Sequence, residues 1–128
     1  MTRLDQTKRN ARVAWKLQAP ARCMGCNSRW QDVGPLEIHE IERRSHSRNW
    51  AHPCNYLLLC QECHAGKFAT MPHAQQLAHK LKYDPLHFDL DHWLRIRDPE
   101  LRAPNRVTMD EIMEAIRTLN HGSTTHAA

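Results

Sequence analysis

Two short cysteine pairs, CMGC and CQEC, constrain this chain more than any other feature of its sequence. They supply Cys23 and Cys26, then Cys60 and Cys63, with 33 residues between the pairs. Each Cys-x-x-Cys pair can present both sulfur atoms to one tetrahedral ion, and two pairs complete a four-cysteine zinc site that leaves no position open for water. We therefore predict one structural zinc, with the residues between the pairs closed into a loop over it.

The cysteine count argues against disulfide bonds as the alternative use of these residues. The chain has five cysteines, and an odd number cannot pair completely within one molecule. A redox role for one Cys-x-x-Cys pair is the other alternative, but two pairs at this separation suit zinc better than thiol exchange. Cys54, the fifth cysteine, is expected to be a buried thiol without a ligand.

The beginning of the chain gives an expectation about its compartment. The first 18 residues lack the continuous apolar core of a signal peptide. No apolar run reaches the roughly eighteen residues that a membrane span requires. We expect a cytoplasmic protein without a membrane partner, in a compartment that keeps thiols reduced.

The chain suits a single α+β domain, since 128 residues can bury one modest core. Two apolar runs, PLEIHEI and NYLLLC, predict two short strands. Helical patterns lie on either side of them. We predict four parts in chain order: a basic helix at 1–20, a zinc-framed core at 21–68, a helical annex at 69–120 and a flexible tail at 121–128.

Charge is concentrated at the start of the chain. Residues 1–29 carry seven basic side chains against one acidic side chain. Such a block fits a polyanionic partner because Lys and Arg release the counterions condensed on phosphates. A solvated helix face explains the same charges equally well. On that helix, Leu4, Ala11, Ala14 and Leu17 can share one face at helical spacing, with the basic side chains mostly on the other.

The first predicted strand places His39 and Glu40 side by side. Without the cysteine frame, such a pair would most simply be the polar edge of a surface strand. The frame brings the ends of the 23–63 segment together, and so concentrates His46, Asn55 and His64 near the pair. The histidines of the helical annex are expected to be surface or capping residues: His73, His79, His87 and His92.

The order of these motifs resembles the zinc-framed branch of the HNH nucleases, the ββα-metal group found widely in phages and prophages. The resemblance covers residues 23–68 and rests on the first cysteine pair, the strand LEIHEI and the run HPCNYLLLCQECH. It implies a small ββα-metal core, which the N-terminal helix and the C-terminal helices predicted above would flank. It also implies a phage-type, metal-dependent DNA endonuclease.

The resemblance assigns roles by position. His39 matches the position of one catalytic-metal ligand of the family. His64 matches the position of the second ligand, which follows the last cysteine. Asn55 falls on the residue that orients the base or the metal loop. Glu40 stands where the family has a general-base histidine. Where many members place a further ligand one helical turn later, this chain has Lys67.

The glutamate leaves three readings open. Phosphodiester cleavage needs a cation beside the phosphate and a base for water. Glu40 can act as base or as an extra ligand, in which case a hard metal such as Mg²⁺ or Mn²⁺ is favoured, whereas two imidazoles alone suit a borderline metal such as Ni²⁺. His46 can instead supply the base. In the third reading the site is inactive, and the chain is a zinc-stabilised module that binds nucleic acid or a protein.

DNA is the expected partner, with RNA or a protein as the alternative, and the sequence does not set the oligomeric state. Phosphate contacts are expected from basic side chains of the loop after the first strand, the N-terminal helix and the end of the core. These residues are Arg43, Arg44, Arg48, Lys8, Arg9, Arg12, Lys16 and Lys67.

Overall fold

The predicted α+β class is confirmed by the computed structural model, which describes residues 3–43 and 49–125. Within these ranges helices pack around a two-stranded sheet, and the short 3₁₀ turns Pro53–Asn55, Lys67–Ala69 and Pro85–His87 connect the elements. No helix within the described ranges has both the length and the apolar character to cross a bilayer. The elements are α1 (Arg3–Gln18), α2 (Trp30–Val33), β1 (Leu36–Glu40), β2 (Tyr56–Cys60), α3 (Gln61–Ala65), α4 (His73–Tyr83), α5 (Leu90–Arg97) and α6 (Met109–Thr125).

The sheet consists of β1 and β2, which run antiparallel with His39 opposite Leu57 and Glu40 opposite Tyr56. Every residue of β2 is buried, whereas the start of β1 alternates between buried and exposed side chains. Because neighbouring side chains of a strand point to opposite faces, Glu37 shares a face with His39. Glu40 points to the other face.

The core lies between the sheet and the helices of the annex. Its largest fully buried side chains come from β2, the turn after α3, and helices α4, α5 and α6, so the annex packs directly on the sheet. They include Tyr56, Leu57, Leu59, Phe68, Leu77, Trp93, Ile96 and Ile112.

The apolar residues that can share one face of α1 do not form its buried side. Ala11 and Ala14 are exposed, Leu17 is 81% exposed, and the side chain of Leu4 lies outside the described part. The helix instead turns Trp15 inward, which is only 4% exposed. A buried tryptophan removes a large apolar area from water, and its Nε1 donates to Asp84, so both contacts favour this orientation.

A buried lysine fixes α1 to the rest of the fold. The Lys80 Nζ atom donates to the Tyr56 carbonyl at 2.7 Å and to Asp84 Oδ2 at 2.6 Å. It also lies 4.7 Å from the centre of the Trp15 ring, whose Nε1 donates to the same carboxylate at 3.1 Å. Burial lowers the pKa of Lys80, and Asp84 opposes this. With its partners in place, this charge joins α1, β2 and α4 instead of destabilising the core.

The last helix begins as predicted but ends later. The Glu111 backbone N–H donates to Thr108 Oγ1 at 3.2 Å, so Thr108 is the N-cap. We predicted an end at Asn120–Gly122, whereas α6 continues to Thr125. Glycine costs a helix about 1 kcal/mol relative to alanine, which weakens it without stopping it. Residues 126–128 lie outside the described part.

Candidate functional site

The four predicted zinc ligands come together in the fold. The Sγ atoms of Cys23, Cys26, Cys60 and Cys63 lie within 4.8 Å of one another. Backbone N–H groups of Gly25 and Cys60 each donate to Cys23 Sγ at 3.3 Å, and the Cys63 N–H donates to Cys60 Sγ at 3.5 Å. Donors of this kind stabilise thiolates. The cluster can therefore hold a metal such as zinc.

The packing around the cluster also fits a bound cation. A Cβ atom on Gly25 would lie 2.7 Å from the Phe68 ring and 3.0 Å from Cys63 Sγ, so only glycine fits this turn. Burial, together with the neighbouring Cys60 and Cys23, raises the pKa of Cys63 well above its ordinary value. A coordinated metal removes this cost because it keeps the thiol deprotonated.

A second group, made of His52, Cys54 and His92, does not fit a metal as well. The two imidazole rings stack, with centroids 3.7 Å apart and planes inclined by 24°. A ring nitrogen binds a metal in the plane of its ring, and two nearly parallel planes cannot share one ion. His52 Nδ1 instead accepts from the Cys54 N–H at 3.1 Å. Cys54 is buried as predicted, and burial raises its pKa to about 12.

His39 and His64 lie together at a cavity of about 880 Å³ beside β1, with ring centroids 5.1 Å apart. His64 comes from α3 and His39 from β1. His64 Nδ1 lies 2.5 Å from Glu37 Oε2. A carboxylate at Nδ1 selects the tautomer with the proton there, which leaves the Nε2 lone pair available to a metal.

A similar argument assigns the tautomer of His39. Gln76 Nε2 donates to the Met71 carbonyl at 2.7 Å, so its Oε1 is the atom that lies 2.7 Å from His39 Nε2. The His39 Nε2 atom must then carry the proton. Burial lowers the pKa of His39, with the charges of His64 and Arg43 adding to the effect. The neutral ring thus keeps its Nδ1 lone pair for a ligand.

Glu40 lines the edge of the same cavity but is held by α1. Arg12 NH2 lies 3.4 Å from Glu40 Oε2 and donates to the Ile38 carbonyl at 3.1 Å. The Glu40 side chain is 13% exposed. The positive charge of Arg12, on α1, therefore partly neutralises the negative charge of this carboxylate. The phosphate contact predicted for Arg12 would have to compete with this ion pair.

Asn55 is buried and uses its whole hydrogen-bonding capacity on the protein. Its Oδ1 accepts from the Glu42 N–H at 2.7 Å and from Trp93 Nε1 at 3.0 Å. Its Nδ2 donates to the carbonyls of Glu42 and Trp50, both at 3.0 Å. A primary amide has two donor hydrogens and two acceptor positions. Asn55 thus holds the backbone at both ends of the segment 43–49 and has no capacity left to bind substrate.

The other predicted site residues are scattered or undescribed. His46, Arg44 and Arg48 lie outside the described residues. Among the basic side chains, Arg43 lines the cavity, and Lys8 lies 5.8 Å from the centre of the Trp50 ring. Arg9, Lys16 and Lys67 are exposed, but they do not line the cavity.

The annex contributes residues that the sequence did not indicate. Gln76, His73 and Arg97 line the cavity opposite β1. The surface position predicted for His79 is wrong: it is 3% exposed, its Nδ1 donates to the Met24 carbonyl at 2.8 Å, and burial lowers its pKa to about 4. Polar residues beside the apolar stripe of α4 indicate only that this side of the helix borders a polar region, and they do not indicate which cavity it faces.

Comparison with protein-family models, with curated proteins and with solved structures found no match to this chain. Its function must therefore be inferred from its own residues and their geometry.

Proposed function

We propose that this chain is a metal-dependent endonuclease of the HNH type, which hydrolyses DNA phosphodiester bonds, with β1, β2 and α3 as its ββα-metal core. One observation carries the proposal. His39 and His64 come from separate elements, converge at one cavity, and each has a hydrogen-bond partner, Gln76 or Glu37, that fixes its tautomer. Partners of this kind are typical of metal-binding imidazoles.

In this mechanism His39 and His64 would hold a divalent cation such as Mg²⁺, Mn²⁺ or Ni²⁺ through the ring nitrogens that their partners leave unprotonated. The cation, when bound, offsets the charge that develops on the phosphate. Glu37 and Gln76 keep the two rings in place. Glu40 accepts a proton from water or adds a carboxylate ligand, while His46 is the other candidate for the base. The four cysteines hold a structural zinc and take no part in cleavage.

The ion pair between Arg12 and Glu40 favours a second candidate function. A carboxylate that is bound by an arginine, on the strand face opposite His39, is poorly placed to activate water. In that case the chain is a catalytically inactive zinc module that binds nucleic acid, DNA or RNA, or a protein partner. The basic exposed face of α1 then supplies the binding surface.

A plasmid-nicking assay with Mg²⁺, Mn²⁺ and Ni²⁺ separates the two functions. We expect nicking by the wild-type chain with at least one metal. Glu40→Gln should lower the rate about 100-fold if Glu40 is the base, since general-base catalysis contributes 10²–10⁴-fold. Glu100→Gln, a change at an exposed carboxylate outside the cavity, is the matched control and should nick normally.

Two outcomes would change the proposed function or the proposed base. DNA binding without nicking under any of the three metals would favour the inactive module. If Glu40→Gln nicks at the wild-type rate, Glu40 is not the general base, and His46 is the remaining candidate.

The role of Gln76 can be tested without measuring cleavage. Gln76→Leu removes the acceptor that fixes His39, so we expect Mn²⁺ affinity to fall by 10–100-fold, as for other hydrogen-bond partners of metal ligands. Electron paramagnetic resonance of a Mn²⁺ titration gives this affinity, and Mn²⁺ avoids competition at the cysteines. Gln75→Leu, at the exposed neighbouring position of α4, is the control. Equal Mn²⁺ affinity in the two variants would contradict the role.

A further inference from the structure

Arg97, the last residue of α5, brings a positive charge to the cavity from the helical annex. It lines the cavity together with His39, His64 and Arg43, and its side chain is 47% exposed. Its NH1 group donates to His73 Nδ1, and its Nε lies 3.8 Å from Glu42 Oε2. The guanidinium is therefore accessible to a ligand and also anchored.

Both anchors are themselves held in place. His73 packs edge to face on Trp93, with ring centroids 5.1 Å apart, and burial followed by the Arg97 charge lowers its pKa, so the ring stays neutral and accepts. The Glu42 side chain is 7% exposed, and Asn55 binds its backbone on both sides. A charge positioned in advance loses little freedom when it binds a ligand.

The charges around the cavity favour binding of an anion, because each carboxylate that lines it is paired with an arginine. Arg12 offsets Glu40 and Arg97 offsets Glu42, so neither carboxylate repels a phosphate at full strength. Arg43 remains exposed at the same cavity. A guanidinium has five N–H donors. Among the described residues, one of them donates to His73, and the 3.8 Å ion pair with Glu42 is too long for a hydrogen bond.

We propose that Arg97 and Arg43 form a phosphate-binding subsite that holds the DNA backbone beside the two metal-binding histidines. The proposal rests on the function proposed above. The planar guanidinium fork matches the non-bridging oxygens of a phosphodiester, to which it donates paired hydrogen bonds. The annex thus contributes to substrate binding in addition to packing on the sheet.

The test measures binding of the full-length, zinc-loaded chain to a short DNA duplex by fluorescence anisotropy, over a series of KCl concentrations without added divalent metal. We expect Arg97→Gln to reduce the slope of log K against log salt by about 1, which corresponds to one lost phosphate contact and about an eightfold loss of affinity at 0.1 M salt. Arg95→Gln, two positions earlier on the exposed side of α5 and outside the cavity, should change neither quantity.

Arg97→Lys separates phosphate binding from a structural role. Lysine keeps the charge and loses the fork, so it should restore the wild-type slope and part of the affinity. Weaker binding in both Arg97 variants with a wild-type slope in both would mean that Arg97 only supports the fold, and would overturn the proposal.

Failure of the subsite and failure of the proposed function give different results. If the wild-type chain binds DNA and Arg97→Gln behaves like Arg95→Gln, the subsite is wrong and the endonuclease proposal stands. If the wild-type chain does not bind DNA at any salt concentration, the DNA substrate is wrong, and the subsite is lost with it.

Discussion

Cys60→Ser is expected to abolish zinc binding and cooperative folding together. Cys60 ends β2, its Sγ accepts from the Cys63 N–H at the start of α3, and it belongs to the four-cysteine cluster. Structural zinc binds such sites with about 10–16 kcal/mol, which is as large as the whole stability of a typical domain, about 5–15 kcal/mol. The zinc content measured by emission spectrometry should fall from one zinc per chain to none. The thermal unfolding transition followed by circular dichroism should disappear.

Cys54→Ser is the matched control for this experiment. Cys54 is buried like Cys60, but it lies outside the four-cysteine cluster. We expect this variant to keep one zinc per chain and to lose only about 1–3 kcal/mol, because a hydroxyl replaces a buried thiol. A folded Cys60→Ser chain with its full zinc content would show that the cluster is not the zinc site.

His64→Ala is expected to lower the rate of plasmid nicking by at least about 100-fold while zinc content and thermal stability remain unchanged. His64 is half-exposed, so its removal costs little packing. Its loss takes away one of two proposed ligands of the catalytic metal, and metal ions supply several kcal/mol of transition-state stabilisation. The measurement is the nicking rate with the most active metal, alongside the affinity for Mn²⁺.

His92→Ala serves as the comparison for His64→Ala. His92 is exposed and stacks on His52 instead of lining the cavity. This variant should nick at the wild-type rate. If His64→Ala also nicks at that rate, the cleavage site lies elsewhere in the chain.

Short-range patterns were sufficient for the central part of the fold. Two Cys-x-x-Cys pairs have few uses other than a shared metal, so their spacing predicted the cluster. Alternation in LEIHEI and the apolar run NYLLLC predicted both strands, because the strand period of two is visible within five residues. The Thr108 cap could be predicted for the same reason, since its hydrogen bond joins residues only three positions apart in the sequence.

Long-range packing decided what the sequence could not predict. Small apolar residues suggested one face of α1, but Trp15 turned the helix because its partners, Lys80 and Asp84, come from α4 and the residue after it. Gln76 and Arg97 reach the cavity only through the docking of α4 and α5 on the sheet. No pattern within a single helix carries that information.

The hydrogen bonds of Asn55 to two separate backbone positions have a consequence for the length of the chain between Glu42 and Trp50. One amide binds the backbone at Glu42 and at Trp50, so the two attachment points stay together whatever chain length joins them. Lengthening a surface loop is cheap, about 0.6 kcal/mol for each doubling. Extra residues inserted between 43 and 49 should therefore leave the strands in place. The chain between Glu42 and Trp50 can thus change in length while the strand that carries His39 keeps its position.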